Sequence, residues 1–292
     1  MRIRSRGRTP RRRLLRWGVP AAVVVLAIAG AAAFDDVWRE KSMAERGKVV
    51  PAVDAAQLDT VDRTRVFFGH QSVGENILGG VVDVYARQGA PAPSIELDGL
   101  VPGTRGGFIS HSFLGENEKP LRKIEDFEKA LRGGMGDVVD VAMMKLCFID
   151  ITTETDVAAL FGTYRNTIAA LEEDYPDIEF VHVTVPLTTD LGLTNRVKIA
   201  LGGSDRYGRG ENVARERYNT LLRTEYAADR IFDLAAIEST TPDGERRRLQ
   251  YRDQPYYALH TGYASDLGHL NAEGSEIAAS AWLQSVASAS PR

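Results

Sequence analysis

The sequence predicts an α/β protein of three layers, α/β/α, built on a mostly parallel sheet of five strands. Three observations predict it. Short apolar runs alternate with segments of helical period. The run at 138–144 is almost continuously apolar, as a strand covered on both faces must be. No internal repeat or second-domain break interrupts the alternation.

The elements follow in order. Arg65-Val66-Phe67-Phe68 reads as a buried strand closed by Gly69. Val73, Ile77, Val81 and Tyr85 lie four apart, the apolar stripe of an amphipathic helix. Ser94 to Leu97 is a second, weaker strand, and 99–118 a long glycine-rich loop. Leu121, Ile124, Phe127 and Leu131 mark the next helix, and the third strand is the run at 138–144. Val157, Leu160, Phe161, Tyr164, Ile168 and Leu171 have the clearest helical period. Strands are predicted at 178–185, stopped by Pro186, and at 231–234, with a helix over 212–226 between them. A last helix starts at an Asn271 cap and runs through Ile277, Ala281 and Trp282.

Charge divides the chain. Of its 36 Lys and Arg, eight Arg fall in residues 1–33, which hold no acid; the remainder faces all 40 Asp and Glu. An acidic body argues against nucleic acid as a partner, because phosphates need a basic face. Residues 17–34 form 18 positions without charge behind the basic cluster, the pattern of a membrane anchor or a signal peptide. Arg11-Arg12-Arg13 also loosely matches a twin-arginine export signal. The expected division is 1–34 as basic N-terminus with anchor or signal, 35–63 as linker ending in a short helix, and 64–290 as the folded domain. The body is expected outside the cytoplasm, attached through 17–34 or secreted if that segment is cut. With a single cysteine, Cys147, neither an intramolecular disulfide nor a cysteine-rich zinc site can form.

In a parallel α/β sheet, ligands bind beyond the carboxyl ends of the strands. There stand Gly69-His70-Gln71-Ser72, the 99–118 loop, Lys145 to Asp150, Pro186 to Asp190, and Ser265 to Asn271. Ser72 either caps the helix after it or presents a nucleophilic hydroxyl beside the positive helix end. Asp266 and His269, three apart before the last helix, can act as an orienting acid and a general base. Lys145 ends an apolar strand, so it must reach a cleft or extend to water. Cys147 reads as a buried strand residue, and His111 and His182 as structural. Tyr251, Tyr256, Tyr257, His260 and Tyr263 precede the Asp-His pair in a loop that either packs on the body, the preferred reading, or offers aromatic faces to sugar rings or acyl groups.

Gly69-His70-Gln71-Ser72-Val73-Gly74 and Asp266-Leu267-Gly268-His269, the latter followed by Leu-Asn and a helix, resemble the SGNH/GDSL hydrolases over about residues 64–288. The resemblance implies a flavodoxin-like fold with Ser72 as nucleophile, His269 as base and Asp266 as its partner. Two departures stand out. Gln71 replaces the Asp of Gly-Asp-Ser, and Cys147 stands where the family's oxyanion-binding Asn is expected. Lys145, Gln71 and His70 are candidate replacement donors. The family's oxyanion glycine corresponds to Gly115, with Gly106-Gly107 the alternative. The implied activity is ester hydrolysis on an envelope carbohydrate or lipid; no cofactor is expected, and no metal, since His111 and His182 have no ligand-like spacing to any carboxylate cluster. Acetyl transfer to a polysaccharide by the same residues and a non-catalytic binding role are the alternatives.

Overall fold

A computed structural model of the protein describes residues 42–99, 106–190, 201 and 206–291. The basic N-terminus and the apolar segment 17–34 lie outside them. Among the described residues no helix is long and apolar enough to cross a membrane.

The strands of the main sheet are β2 (Arg65–His70), β3 (Ser94–Leu97), β4 (Phe108–Phe113), β5 (Val141–Met144), β6 (Glu179–Val183) and β7 (Ile231–Phe232). All run parallel, in the order β3-β4-β2-β5-β6-β7. The sheet therefore has six strands rather than the expected five. The addition is β4, inside the predicted glycine-rich loop. Its Phe-Ile-Ser-His-Ser-Phe sequence hides a strand because polar side chains face inward with partners. Ser110 Oγ donates to the Gly99 carbonyl at 2.7 Å, and the His111 ring bonds His70.

Helices cover both faces. On one lie α1 (Ala55–Val61), α2 (Val73–Arg87), α6 (Leu234–Glu238) and α7 (Ala272–Ala289), packed on Val66, Phe68, Met143 and Val183. On the other lie α3 (Pro120–Ala130), α4 (Val157–Asp174) and α5 (Arg209–Glu225), against Phe67, Ala142, Met144 and Phe180. Alternate residues of each strand thus feed opposite cores, which is why these strands read as unbroken apolar runs. Asn271 caps α7 as expected, accepting the Gly274 N–H at 2.9 Å.

Two expectations are corrected. The segment before the expected short helix, which is α1 with Leu58 and Val61 buried, is not a plain linker: β1 (Ser42–Arg46) pairs antiparallel with β8 (Glu245–Tyr251). The aromatic stretch before the Asp-His pair is not a plain loop either. β8 and β9 (Gln254–Tyr256) form a hairpin, completing a second, three-stranded sheet with β1. Its two turn residues, Arg252 and Asp253, have φ of 48° and 60°. Both centres of a type I′ turn require positive φ, and Arg-Asp lacks the usual Asn-Gly signal for it.

Candidate functional site

The site is built at the carboxyl ends of β2, β4 and β5. Ser72 follows β2 and heads α2 with φ 20° and ψ −77°, outside the regions a residue with a Cβ normally occupies. Strained backbone of this kind clusters at functional sites. Although Ser72 occupies the N-cap position, its hydroxyl makes no capping hydrogen bond. The N–H groups of Gly74 and Glu75 bond to the carbonyls of Gln71 and Ser72, whereas that of Ser72 meets no partner among the described residues. Gly74 is required by space, since a Cβ there would lie 2.3 Å from His70 Nδ1.

Asp266 and His269 are brought together. His269 Nδ1 lies 2.7 Å from Asp266 Oδ2, and Asp266 Oδ1 accepts the backbone N–H of Gly268 and of His269, each at 2.9 Å. Burial pushes the Asp266 carboxyl up, but the two N–H bonds and the imidazole outweigh it and hold it below its ordinary value. The segment is pinned at both flanks. Thr189 N–H donates to the Leu267 carbonyl at 2.8 Å, and Ser265 N–H to that of His269 at 2.9 Å. The ring of Phe148, just after β5, meets the imidazole edge-on at a centroid distance of 5.5 Å. Leu270 N–H donates to Asn76 Oδ1 at 3.3 Å, which ties the His269 loop to the first turn of α2 behind Ser72. Ser72 Oγ itself has no hydrogen-bond partner among the described residues.

The expected oxyanion donors fare differently. Gly115 has φ 50°, and a Cβ there would lie 3.0 Å from Lys123 N, so the position calls for glycine. Its N–H is already spent on Asp126 Oδ2 at 3.0 Å, which removes it as a donor. Gln71 Nε2 is spent too, on the carbonyls of Leu114 and Gly115 at 3.0 and 3.1 Å; this amide fastens the β4–α3 loop beside Ser72. His70 is fully buried, its Nε2 3.0 Å from His111 Nδ1. Burial, with help from the positive charges of Lys145 and His111, lowers its pKa to about 3, so the ring is neutral and structural. His182 is structural as well: buried, with the Tyr164 hydroxyl 2.9 Å from its Nδ1.

Lys145 reaches neither a cleft nor water. It is fully buried, with its ammonium 3.4 Å from the Leu146 carbonyl and 3.8 Å from Cys147 Sγ. Its charge acts on Glu238 at the end of α6, whose carboxyl burial raises to about 8 although it accepts the Leu187 N–H. Cys147 is 1% exposed, and its N–H donates to Asp150 Oδ2 at 2.6 Å. A thiol is a weak donor in any case, so none of the five expected side chains or N–H groups faces the cleft with a strong free donor.

Sequence reasoning missed the group that organises this wall. Asp150 and Lys123 form an ion pair at 2.7 Å with both side chains at 0% exposure. Nothing in the spacing of residues 123 and 150 announces it. The remaining signal was a lysine at a position of α3 otherwise facing the core.

No protein-family model matches the chain, and no curated protein matches it in sequence. Solved structures similar to it include three of related description. One is a candidate lipolytic protein of the G-D-S-L family from Desulfitobacterium hafniense DCB-2, at 11% identity and TM-score 0.39 over 76% of this chain and 99% of that chain. Another is a candidate SGNH hydrolase from Slackia heliotrinireducens, at 14% identity and TM-score 0.39 over 77% of this chain and 99% of that chain. The third is the periplasmic domain of a lipopolysaccharide acetyltransferase from Salmonella ser. Paratyphi A, at 11% identity and TM-score 0.37 over 88% of this chain and 95% of that chain. The class of fold rests on the sheet itself. Strands β4-β2-β5-β6-β7 have the flavodoxin-like order 2-1-3-4-5, with β3 added outside β4. A serine after the central strand β2 and an Asp-x-x-His before the last helix, on that frame, resemble the SGNH/GDSL hydrolases.

Proposed function

We propose that this chain is a serine hydrolase that cleaves carboxylic esters, with Ser72 as nucleophile, His269 as general base and Asp266 as the carboxylate that orients it. The observation that carries the reading is the Asp266–His269 bond on a loop tied through Asn76 to the helix that Ser72 heads. Asp266, held ionised by two backbone N–H groups, fixes the tautomer with the proton on Nδ1. That leaves Nε2 as the base.

In the reaction Ser72 gives its proton to His269 Nε2 as its oxygen bonds the ester carbonyl carbon. The tetrahedral oxyanion forms beside the N–H of Ser72 and the positive end of α2. Collapse breaks the bond to the alcohol, which leaves with the proton from His269. Water then attacks the acyl-serine by the same route and releases the acid. A sugar hydroxyl in place of water gives acetyl transfer. Export through residues 1–34 and an envelope carbohydrate or lipid ester as substrate complete the proposal.

The test is labelling of residues 40–292 with a fluorophosphonate, together with turnover of p-nitrophenyl acetate. Ser72→Ala is expected to lose the label and to lower turnover on the order of 10⁴-fold. Equal labelling of wild type and variant refutes Ser72 as nucleophile. Absence of turnover in wild type favours a non-catalytic binding role, and acetyl transfer to added saccharide in preference to hydrolysis identifies a transferase.

A further inference from the structure

We infer that Asn117 supplies the side-chain donor to the oxyanion in place of the amide absent at Cys147, and that the buried Lys123–Asp150 pair holds it there. The inference rests on the Ser72 reading above.

Asp150 joins two loops that lie far apart in sequence. Its Oδ2 accepts the N–H of Cys147 at 2.6 Å, and its Oδ1 that of Glu118 at 2.9 Å. One carboxylate therefore sets the backbone beside Asn117 against the backbone of Cys147, across the carboxyl ends of β4 and β5. Lys123 Nζ donates both to Asp150 Oδ2 at 2.7 Å and to Asn117 Oδ1 at 3.1 Å. An ammonium only donates, so the amide oxygen of Asn117 must face it and the Nδ2 group must turn away. That group meets no partner among the described residues, and the side chain is exposed. The loop carrying it starts at Leu114 and Gly115, whose carbonyls Gln71 grips next to Ser72.

Asn117 thus offers two N–H donors from a loop anchored at both ends: to the residue before the nucleophile and to a fully buried ion pair. A donor held in advance where charge develops costs no reorganisation during reaction. Asn117 acts on the substrate oxygen, and Lys123 is a positioning residue that acts through it.

The experiment uses the full chain and p-nitrophenyl acetate. Asn117→Asp preserves the bond to Lys123 while replacing the N–H donors by a carboxylate. A purely structural role survives this change, whereas a donor role does not. The expected result is a fall in kcat of about 100-fold or more with KM changed less than about threefold, and a smaller fall in kcat for Asn117→Ala. Lys123→Met is expected to lower kcat in the wild-type background and to have no further effect on kcat in the Asn117→Ala background. If Asn117→Asp and Asn117→Ala both keep kcat within about threefold of wild type while Ser72→Ala is inactive, the inference is overturned and the Ser72 reading stands. If Ser72→Ala stays active, or wild type leaves the ester intact, both are overturned.

Discussion

The two walls of the cleft are held together in different ways. On the His269 wall the acid and base lie three residues apart, and the bonds that pair them run within one short segment, which Thr189 and Asn76 then fasten to the body. Both side chains are substantially exposed, Asp266 at 58% and His269 at 35%. On the second wall Asn117, Lys123, Cys147 and Asp150 come from three different elements and converge on an ion pair with no exposure. The first wall assembles from local geometry at little energetic cost. The second requires desolvating two charges, which is favourable only when the surrounding hydrogen bonds are satisfied. The local wall can therefore be altered with activity as the casualty, whereas changes to the distant wall should strike stability as well.

The largest expected effect is on the local wall. Asp266→Asn should lower turnover about 10³- to 10⁴-fold at neutral pH, because an amide no longer holds the required tautomer of His269. Its urea midpoint should stay near that of wild type; a large loss of stability would break the contrast. On the distant wall, Asp150→Asn leaves Lys123 buried without its counter-ion and should destabilise the fold by about 3–5 kcal/mol in urea unfolding. A change within 1 kcal/mol would mean that this wall is no more costly than the other.

Glu238 sharpens the contrast as another buried charge, its side chain accepting the Leu187 N–H and its backbone carbonyl the His260 N–H. Its folded pKa of about 8 stands above the ordinary 4.5. A raised carboxyl binds its proton more tightly folded than unfolded. Its contribution to stability is therefore full below about pH 4.5 and is lost as pH rises towards 8. Glu238→Gln, which keeps an acceptor for Leu187, should gain on wild type by a few kcal/mol across that interval in urea titrations at stepped pH. Parallel curves would refute the raised value. The smallest effect is expected at Gln71. Gln71→Ala frees two carbonyls at a half-buried site and should cost about 1 kcal/mol, with a several-fold fall in kcat as the β4–α3 loop loosens.

The layers and most strands were legible because they depend on periodicity within each segment. β4 was not, because its inward polar side chains look like loop until His70 and the Gly99 carbonyl arrive to satisfy them. The hairpin of β8 and β9 was hidden for another reason: its turn is imposed on Arg252 and Asp253, which carry no preference for positive φ strong enough to mark it.

The sequence by itself determined the α/β alternation, the position of Ser72 at a strand end, and the pairing of Asp266 with His269. Each follows from spacing that local geometry converts into structure. Only the tertiary structure decided that Ser72 is uncapped, that Gly115 and Gln71 have already spent their donors, and that Lys145 is buried. It also placed Lys123 against Asp150. Those outcomes depend on which distant groups reach one another when the loops after β4 and β5 meet, and a buried charge acquires a partner only when the chain has folded around it.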